Sequence, residues 1–240
     1  MNLNAIRRLF TIVALAALVC VAATAGPIVQ TISYGPATTN WTQTLSINQF
    51  NTAGGTLVLD QVDIAFQGNV AGTAKFESLD AAPATVAMHL AALLTASYPT
   101  SGVNAPCTVA GLCLSLTPTA DTSDNVTAFD GTIDFGGGSG RSYTGLGGTT
   151  STSAQYLTGN PELAAFTGTG TVAFALAGKG ASSADGAGNI VSQFSVTAQS
   201  ILTITYTYHQ NTGTPEPATM VMLGSALVGL GLLGRKRFAR

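Results

Sequence analysis

Four aspartates stand close together in one polar stretch of the sequence, and they are the first candidates for a ligand site. Asp121, Asp124, Asp130 and Asp134 all lie within DTSDNVTAFDGTID. Calcium prefers clustered oxygen ligands, and carboxylates supply them. The spacing does not match an EF-hand loop, so solvated acids in turns are the alternative interpretation. We therefore treat these four residues as candidate calcium ligands.

Residues with catalytic chemistry are sparse. A glycosidase needs two carboxyl groups that flank its substrate, and Glu77 and Glu162 are the nominal pair. A serine hydrolase needs a base beside its nucleophile, but the chain has only His89 and His209 and no G-x-S-x-G segment. We expect both histidines at the surface or at strand edges, with His89 on the more polar face of its segment. The sequence predicts no enzyme and no cofactor.

Aromatic side chains offer a second kind of binding chemistry, because sugar rings stack on aromatic faces. Trp41, Tyr143 and Tyr156 are the candidates for such a platform. Trp41 lies beside a predicted strand, where a position in the core is the alternative interpretation. A carbohydrate-binding platform is therefore one hypothesis, and a packing role is the other.

Strands must position these residues, because alternation with period two dominates the body of the chain. From Ile190 to Tyr208 the even positions are mostly apolar and the odd positions mostly Ser, Thr and Gln. Such a run is long for one strand, so we expect a break or a bend near Ala198–Ser200. In Thr171–Ala177, alanines face away from Val, Phe and Leu. Thr56–Gln67 switches phase near Asp60-Gln61, which predicts a β-bulge.

The rest of the body completes an all-β pattern. Ala84–Ser97 allows either a helix or a strand, and its alternation favours the strand. Gly136–Gly148 is rich in glycine and is predicted to be a mobile loop. About nine short strands predict an antiparallel β-sandwich, with jelly-roll connections as one possible form. The further predicted strands are Thr42–Phe50, Thr73–Leu79, Leu112–Thr117, Val126–Phe135 and Ala154–Thr158.

The N-terminus has the three parts of a secretory signal peptide. Two arginines precede the apolar run Leu9–Val21, and Ala23-Thr24-Ala25 follows as an A-x-A site. The apolar run is too short for a comfortable membrane span. We therefore predict a signal peptide over residues 1–25, cleaved between Ala25 and Gly26.

Two cysteines, Cys107 and Cys113, remain after that cleavage, in the segment CTVAGLC. Export would place them in an oxidising compartment, so a disulfide that closes this short loop is the leading interpretation. A metal site would need further ligands, and none is evident nearby.

The predicted exported domain, residues 26–209, is acidic. Between Gly26 and Thr214 there are three basic and ten acidic residues, a net charge of −7. Phosphate binding needs clustered lysine and arginine, so nucleic acid is excluded as a partner. About 185 residues suit a single domain with its own core.

The C-terminus has the pattern of a membrane anchor. A polar linker at 210–214 precedes the uncharged run 218–234, and a helix of that length would reach about 25 Å. Arg235, Lys236 and Arg237 follow, and positive residues stay cytoplasmic. We therefore predict a transmembrane helix over 218–234 that holds the chain in the inner membrane, with the body on the far side.

The order of Pro215-Glu216-Pro217, an apolar helix and a basic end resembles the PEP-CTERM sorting signal. The resemblance implies that residues 215–240 are a sorting tail, which an exosortase recognises and cuts near the Pro-Glu-Pro. In that family the hosts are Gram-negative bacteria that make extracellular polysaccharide. The resemblance also implies that Pro215, Glu216 and Pro217 are recognition residues of a substrate. An ordinary one-pass anchor is the alternative.

Four segments of the body are distinctive, namely NWTQTLSINQF (40–50), KFESLD (75–80), LAAFTGTGTV (163–172) and TYTYH (205–209). With them the body is similar to the choice-of-anchor E domain, a family of exported bacterial proteins with alternative surface-sorting tails. The similarity would cover nearly all of 30–210. The family implies a location and no activity.

These signals together predict an exported protein of the cell surface or extracellular matrix, with a structural or adhesive role in a biofilm or polysaccharide layer. A carbohydrate-binding module assisted by calcium is the first alternative, and a secreted hydrolase is the second. The expected partners are the secretion machinery, an exosortase, the inner membrane before processing, and extracellular polysaccharide.

Overall fold

A computed structural model of the protein describes residues 26–98 and 112–211. Within these two stretches the chain forms ten strands and two short 3-10 helices. The elements are β1 Ile28–Thr38, β2 Trp41–Asn48, η1 Ala53–Gly55, β3 Leu57–Ser78, β4 Ala84–Tyr98, β5 Leu112–Leu116, β6 Thr119–Val126, β7 Gly140–Leu157, η2 Pro161–Phe166, β8 Thr171–Gly180, β9 Ser183–Asp185 and β10 Ile190–Gln210.

The strands form two antiparallel sheets that pack as a sandwich, as predicted. The first sheet has the order β1-β10-β3-β7, and the second has the order β2-β8-β4-β5. Strands β6 and β9 also pair with β4, so β5–β6 and β8–β9 each act as one interrupted strand beside it. Counted in this way, the two four-stranded orders are those of a jelly roll.

The core lies between the sheets and is built by the period-two alternation of the sequence. Ile64 and Phe66 of β3 and Leu202 of β10 are fully buried on the inner face of the first sheet. Phe174 and Leu176 of β8 are fully buried on the facing side. The alternation thus separates an apolar inner face from a polar outer face on each sheet.

Several sequence predictions are confirmed. Ala84–Ser97 is a strand, β4, and its alternating Val86, Met88 and Leu90 are fully buried. The predicted bulge at Asp60-Gln61 is present, because the register between β3 and β10 shifts at this point. Asp60 is the residue that this pairing skips.

The sequence predicts a break or a bend near Ala198–Ser200, and the break is wrong. Strand β10 pairs with β3 without a register shift from Ile190 to Thr207, because β3 is equally long and offers a partner at every position. The irregularity at this level lies in β1 instead, between Tyr34 and Ala37. The two strands predicted at Thr56–Gln67 and Thr73–Leu79 are likewise one strand, β3.

Two predictions between β5 and β8 are also wrong. Val126–Phe135 is not a strand, since β6 ends at Val126 and a loop follows it. Gly136–Gly148 is not a loop, because most of it belongs to the long strand β7. Its glycines are compatible with the strand because β3 supplies a hydrogen-bonding partner along most of its length.

Several predictions lie outside the described residues. They concern the signal peptide 1–25, Cys107, most of the linker and the transmembrane helix 218–234. Across 26–98 and 112–211, no helix combines the length and apolar character needed to cross a membrane.

Candidate functional site

The outer side of the first sheet is a regular polar surface. We define the polar face as the outward-pointing residues of β10 from Ser195 to Thr205, of β3 from Asp63 to Thr73, and of β7 from Thr149 to Gln155. The register places these three strands side by side, with β3 in the middle. The face is therefore a grid of side chains about 4.8 Å apart between strands and about 7 Å apart along them.

Asn69 is the centre of a hydrogen-bond network on the polar face. Its side-chain nitrogen donates to Oε1 of Gln199 at 2.9 Å, and its Oδ1 accepts from the hydroxyl of Thr149 at 2.9 Å. Gln67 donates to the same Oδ1 at 3.3 Å. The network joins β10, β3 and β7, so it fixes side chains from three strands in one plane.

Asp63 organises a second cluster further along β3. Its two carboxylate oxygens accept from Gln61 at 2.6 Å and from Gln155 of β7 at 2.7 Å. Asp63 is the single charged residue within the three ranges that define the polar face. The rest of this surface consists of hydroxyls, amides and the apolar side chains of Ala65, Ala71 and Ile201, and its many polar groups suit a neutral partner with many hydroxyl groups.

A different kind of site lies on the outer side of the second sheet. His89 of β4 contacts Asp121 of β6 through Nδ1 at 2.9 Å and Asp185 of β9 through Nε2 at 3.2 Å. The hydrogen bond that His89 makes to Asp121 raises the pKa of His89, burial opposes this rise, and Asp185 adds a smaller increase. The side chain therefore ties together three strands that approach one another at the surface, as its predicted position on a polar strand face allows.

Glu77 lies at one end of the sandwich and holds a loop in place. It is fully buried, and its carboxyl group accepts from the hydroxyl of Ser139 at 2.5 Å and from the backbone N–H of Phe135 at 2.8 Å. Arg141 donates to the carbonyl oxygen of Gly137 at 2.9 Å. These contacts fix the loop 127–139 against the end of β3, which is a structural role.

The four candidate calcium ligands do not converge. Asp121 pairs with His89, Asp124 accepts from the hydroxyl of Tyr143, and Asp130 and Asp134 accept from backbone N–H groups of their own loop. Across 26–98 and 112–211, no group of three or more His, Cys, Asp or Glu is arranged to hold a metal ion. The clustered oxygens that calcium prefers are thus lacking in this region.

The nominal carboxyl pair of a glycosidase is widely separated. Glu77 is near the end of β3, whereas Glu162 follows Leu157, which pairs with Gln61 at the beginning of β3. Sixteen residues of strand separate Gln61 from Glu77, which is about 50 Å. A glycosidase pair needs a separation of about 5 to 10 Å.

The three aromatic candidates do not form one platform. Tyr143 and Tyr156 lie thirteen residues apart on β7, which is about 40 Å, and both contact the core. Trp41 lies on β2 of the other sheet and packs edge-on against Tyr34, with ring centroids 4.8 Å apart. Their contacts are those of packing residues.

The remaining predicted sites are outside the described residues in whole or in part. Cys113 lies in β5, but Cys107 is not described, so the disulfide stays a prediction. Ala25 and the sorting residues are also outside this part of the chain, and Gly26 is its first residue. The sorting residues are Pro215, Glu216, Pro217, Arg235, Lys236 and Arg237.

Sequence reasoning missed the polar face and the contacts around His89. Asn69 and Gln199 are 130 positions apart, and only the pairing register brings them together. The signal available in the sequence was the phase of the polar residues. Gln67, Asn69 and Ala71 occupy the face opposite to Phe66 and Val70, which marks an outward row without revealing its neighbours.

Comparison with known families gives one match. A family model described as the PEP-CTERM protein-sorting motif matches residues 214–237. This motif implies a protein that is exported through the membrane to the cell surface and processed by an exosortase. The resemblance of the body to the choice-of-anchor E domain is not confirmed by these comparisons and stays a prediction.

Other comparisons are weak. No curated protein matches the chain. The VP2 subviral particle of infectious bursal disease virus is 13% identical, covers 78% of this chain and 38% of its own, and has a TM-score of 0.16. A structure of the Gx strain of the same virus is 11% identical, covers 88% and 50%, and has a TM-score of 0.16. The chain thus spans half or less of these two viral chains, and TM-scores this low support no argument about the present protein.

Proposed function

We propose that this protein has a structural or adhesive role in the extracellular polysaccharide layer of a Gram-negative bacterium, and that its polar face contacts neutral polysaccharide. The sorting motif supports export to the surface. The observation that carries the adhesive role is the polar face itself, with its rows of amides and hydroxyls and its single charged residue, Asp63.

The geometry of the polar face suits a chain of sugars better than one small ligand. Groups that donate and accept hydrogen bonds repeat along three adjacent strands, so a polymer can be contacted at several points at once. Each contact is weak, but repeated contacts add up through avidity. The network around Asn69 and the cluster around Asp63 hold these side chains before binding, which lowers the entropic cost of ordering them.

The lack of charge on the polar face predicts selectivity. Acidic polysaccharides would meet no basic residue within the three ranges and would be repelled by a domain with a net charge of −7. Neutral polysaccharides avoid this repulsion. The proposal includes no catalytic activity, since Glu162 follows the end of β7 that pairs with Gln61, and Gln61 and Glu77 lie about 50 Å apart along β3.

Retention on an insoluble neutral polysaccharide tests the proposed contact. The full chain in mild detergent is passed over cellulose and, separately, over calcium-free alginate beads as an acidic comparison. We expect retention on cellulose alone and its loss in the double variant Gln67→Leu/Asn69→Leu. The control Thr44→Leu/Ser46→Leu also replaces two polar side chains by leucine, at exposed positions of β2, and should bind like the wild type. Equal retention of both variants would rule out the polar face.

The mass of the protein in its producing cells tests the location. Cell-associated and released fractions are measured separately. A chain that ends near Pro217 and lacks the apolar run would support sorting and cleavage. A mass that runs from Gly26 through Arg240 would mean a permanent membrane anchor, and the matrix role would have to be withdrawn.

A further inference from the structure

A strand at the edge of a sheet exposes backbone N–H and C=O groups that can pair with another strand, and natural proteins usually protect such edges. The described sandwich has four edges, formed by β1 and β7 in the first sheet and by β2 and β5–β6 in the second. They differ in how far they are protected.

Three edges carry recognisable protection. Pro36 lacks an N–H group, and the register of β1 shifts around it, between Tyr34 and Ala37. At the end of β2, the side chain of Gln30 takes the place of a neighbouring strand. Its Nε2 donates to the carbonyl oxygen of Asn48 at 2.8 Å, and its Oε1 accepts from the Asn48 N–H at 2.9 Å.

The edge formed by β5 and β6 is interrupted and charged. Pro118 lies between the two strands, and β6 carries Asp121 and Asp124. Both strands are short, with five and eight residues. Proline, charge and short length are the devices that prevent unwanted pairing.

From Leu146 to Leu157, strand β7 has none of these devices, since Arg141 and the register shift between Tyr143 and Leu146 lie before this segment. It pairs with β3 in an unbroken register for twelve residues, from Leu146 to Leu157. No proline and no charged residue occurs between Ser142 and Asn160. On its other side, β7 has no strand partner within the described parts of the chain. It is therefore a long, regular and uncharged edge.

We infer that the free edge of β7 pairs with β7 of a second copy of this chain, in antiparallel orientation about a two-fold axis. The same segment on two copies then supplies donors to acceptors in both directions, which closes the assembly as a dimer. The uncharged side chains Thr149, Ser151 and Ser153 would face their counterparts without repulsion. Two first sheets would become one eight-stranded sheet with a continuous outer surface.

The proposed contact between two copies buries a small area. Twelve residues of pairing form a strip about 40 Å long, and with a depth of about 10 Å two copies would bury about 800 Å² in total. That is at the low end of specific interfaces, so we expect a reversible dimer that depends on protein concentration. The inference extends the proposed function by doubling the polar face, but it needs no polysaccharide and is tested without any.

Sedimentation of the full chain in mild detergent tests the inference. The wild type should pass from monomer to dimer as its concentration rises. The double variant Ser151→Lys/Ser153→Lys places four lysines along the proposed two-fold contact and should raise the dimer Kd by about tenfold or more. The control Ala65→Lys/Gln67→Lys carries the same charge in the same two rows, one strand further from the edge, because Ala65 pairs with Ser153 and Gln67 with Ser151.

We expect the control to raise the Kd less than twofold, because screening weakens repulsion over the greater distance across the axis. A wild type that stays monomeric throughout, or equal changes in the two variants, would overturn the inference. Far-UV circular dichroism checks that each variant folds. If Ser151→Lys/Ser153→Lys misfolds, it is replaced by Thr149→Lys, which changes a residue in the same outward row of β7. Since no polysaccharide is present, failure here leaves the cellulose experiment unaffected.

Discussion

The two edge strands of the first sheet follow different rules. Strand β1 has a proline at position 36 and an irregular register, whereas β7 pairs with β3 regularly from Leu146 to Leu157 and carries no charge in that range. Both edges belong to one exported domain and one sheet. The first sheet is therefore protected against a further strand at its β1 edge, whereas its β7 edge is able to pair with one.

The position of β7 explains why it stays regular although the middle of its inner face, from Gly148 to Thr152, has no large apolar side chain. Gly148 approaches the second sheet so closely that a Cβ atom built on it would overlap the carbonyl oxygen of Thr119. Leu146, two residues earlier, packs against both core clusters. Close backbone packing therefore replaces the large side chains that hold the central strands.

The substitution with the largest expected effect on stability loosens the packing of β7 against the second sheet. Gly148→Ala should lower the free energy of unfolding by about 2 to 3 kcal/mol, because the new Cβ atom overlaps the backbone of β6. Gly147→Ala is the matched control, since its Cβ would meet only the carbonyl oxygen of Val70 at 3.5 Å. The control should change stability by less than about 0.5 kcal/mol. Urea unfolding followed by Trp41 fluorescence measures both, and equal losses would refute the packing explanation.

A smaller effect is expected from a substitution that removes the protection of the β2 edge. Gln30→Ala removes two hydrogen bonds from the backbone of Asn48, and we expect a loss of about 1 kcal/mol in unfolding free energy. The control Gln193→Ala removes an exposed side chain of β10 and should have almost no effect. Hydrogen exchange at Asn48 should accelerate in the first variant alone. Unchanged exchange there would mean that Gln30 does not protect β2.

The smallest expected effect is the pH dependence of the contacts that His89 makes with Asp121 of β6 and Asp185 of β9. The raised pKa of His89 means that the folded state binds the proton more tightly than the unfolded state, whose histidine pKa is about 6.5. The stabilisation from Asp121 and Asp185 is therefore complete below pH 6.5 and is lost as the pH rises through the higher folded-state pKa. For a partly exposed pair we expect a few tenths of a kcal/mol. Unfolding measured across this pH range in the wild type and in His89→Gln should differ in slope, and parallel curves would contradict the assignment.

The sequence predicts the central strands well, because apolar residues that become buried alternate with polar or small residues within each of these strands. Val86, Met88 and Leu90 of β4 follow that rule, as does the phase switch at Asp60. Strand β7 could not be found in this way, since only Gly, Ser and Thr occupy both of its faces from Gly147 to Ser153. Its structure depends on β3, a partner that lies far away in the sequence.

The opposite error arose at Val126–Phe135, where apolar residues alternate without forming a strand. Ile133 is 55% exposed in the loop, and the buried carboxyl group of Glu77 fixes the backbone at Phe135 instead. The polar face shows the same limit for the candidate site. Its residues were visible as an outward row, but the contact of Asn69 with Gln199 and Thr149 requires the register of three strands.

Hydrogen exchange at two protein concentrations tests most directly whether β7 is the open edge. The full chain is compared when dilute and when concentrated, and protection is read separately for 146–157 of β7 and 28–34 of β1. We predict that the amides of β7 become more protected against exchange at the higher concentration, while the protection of the β1 amides does not change. Unchanged protection in β7, or a gain in β1 instead, would contradict it.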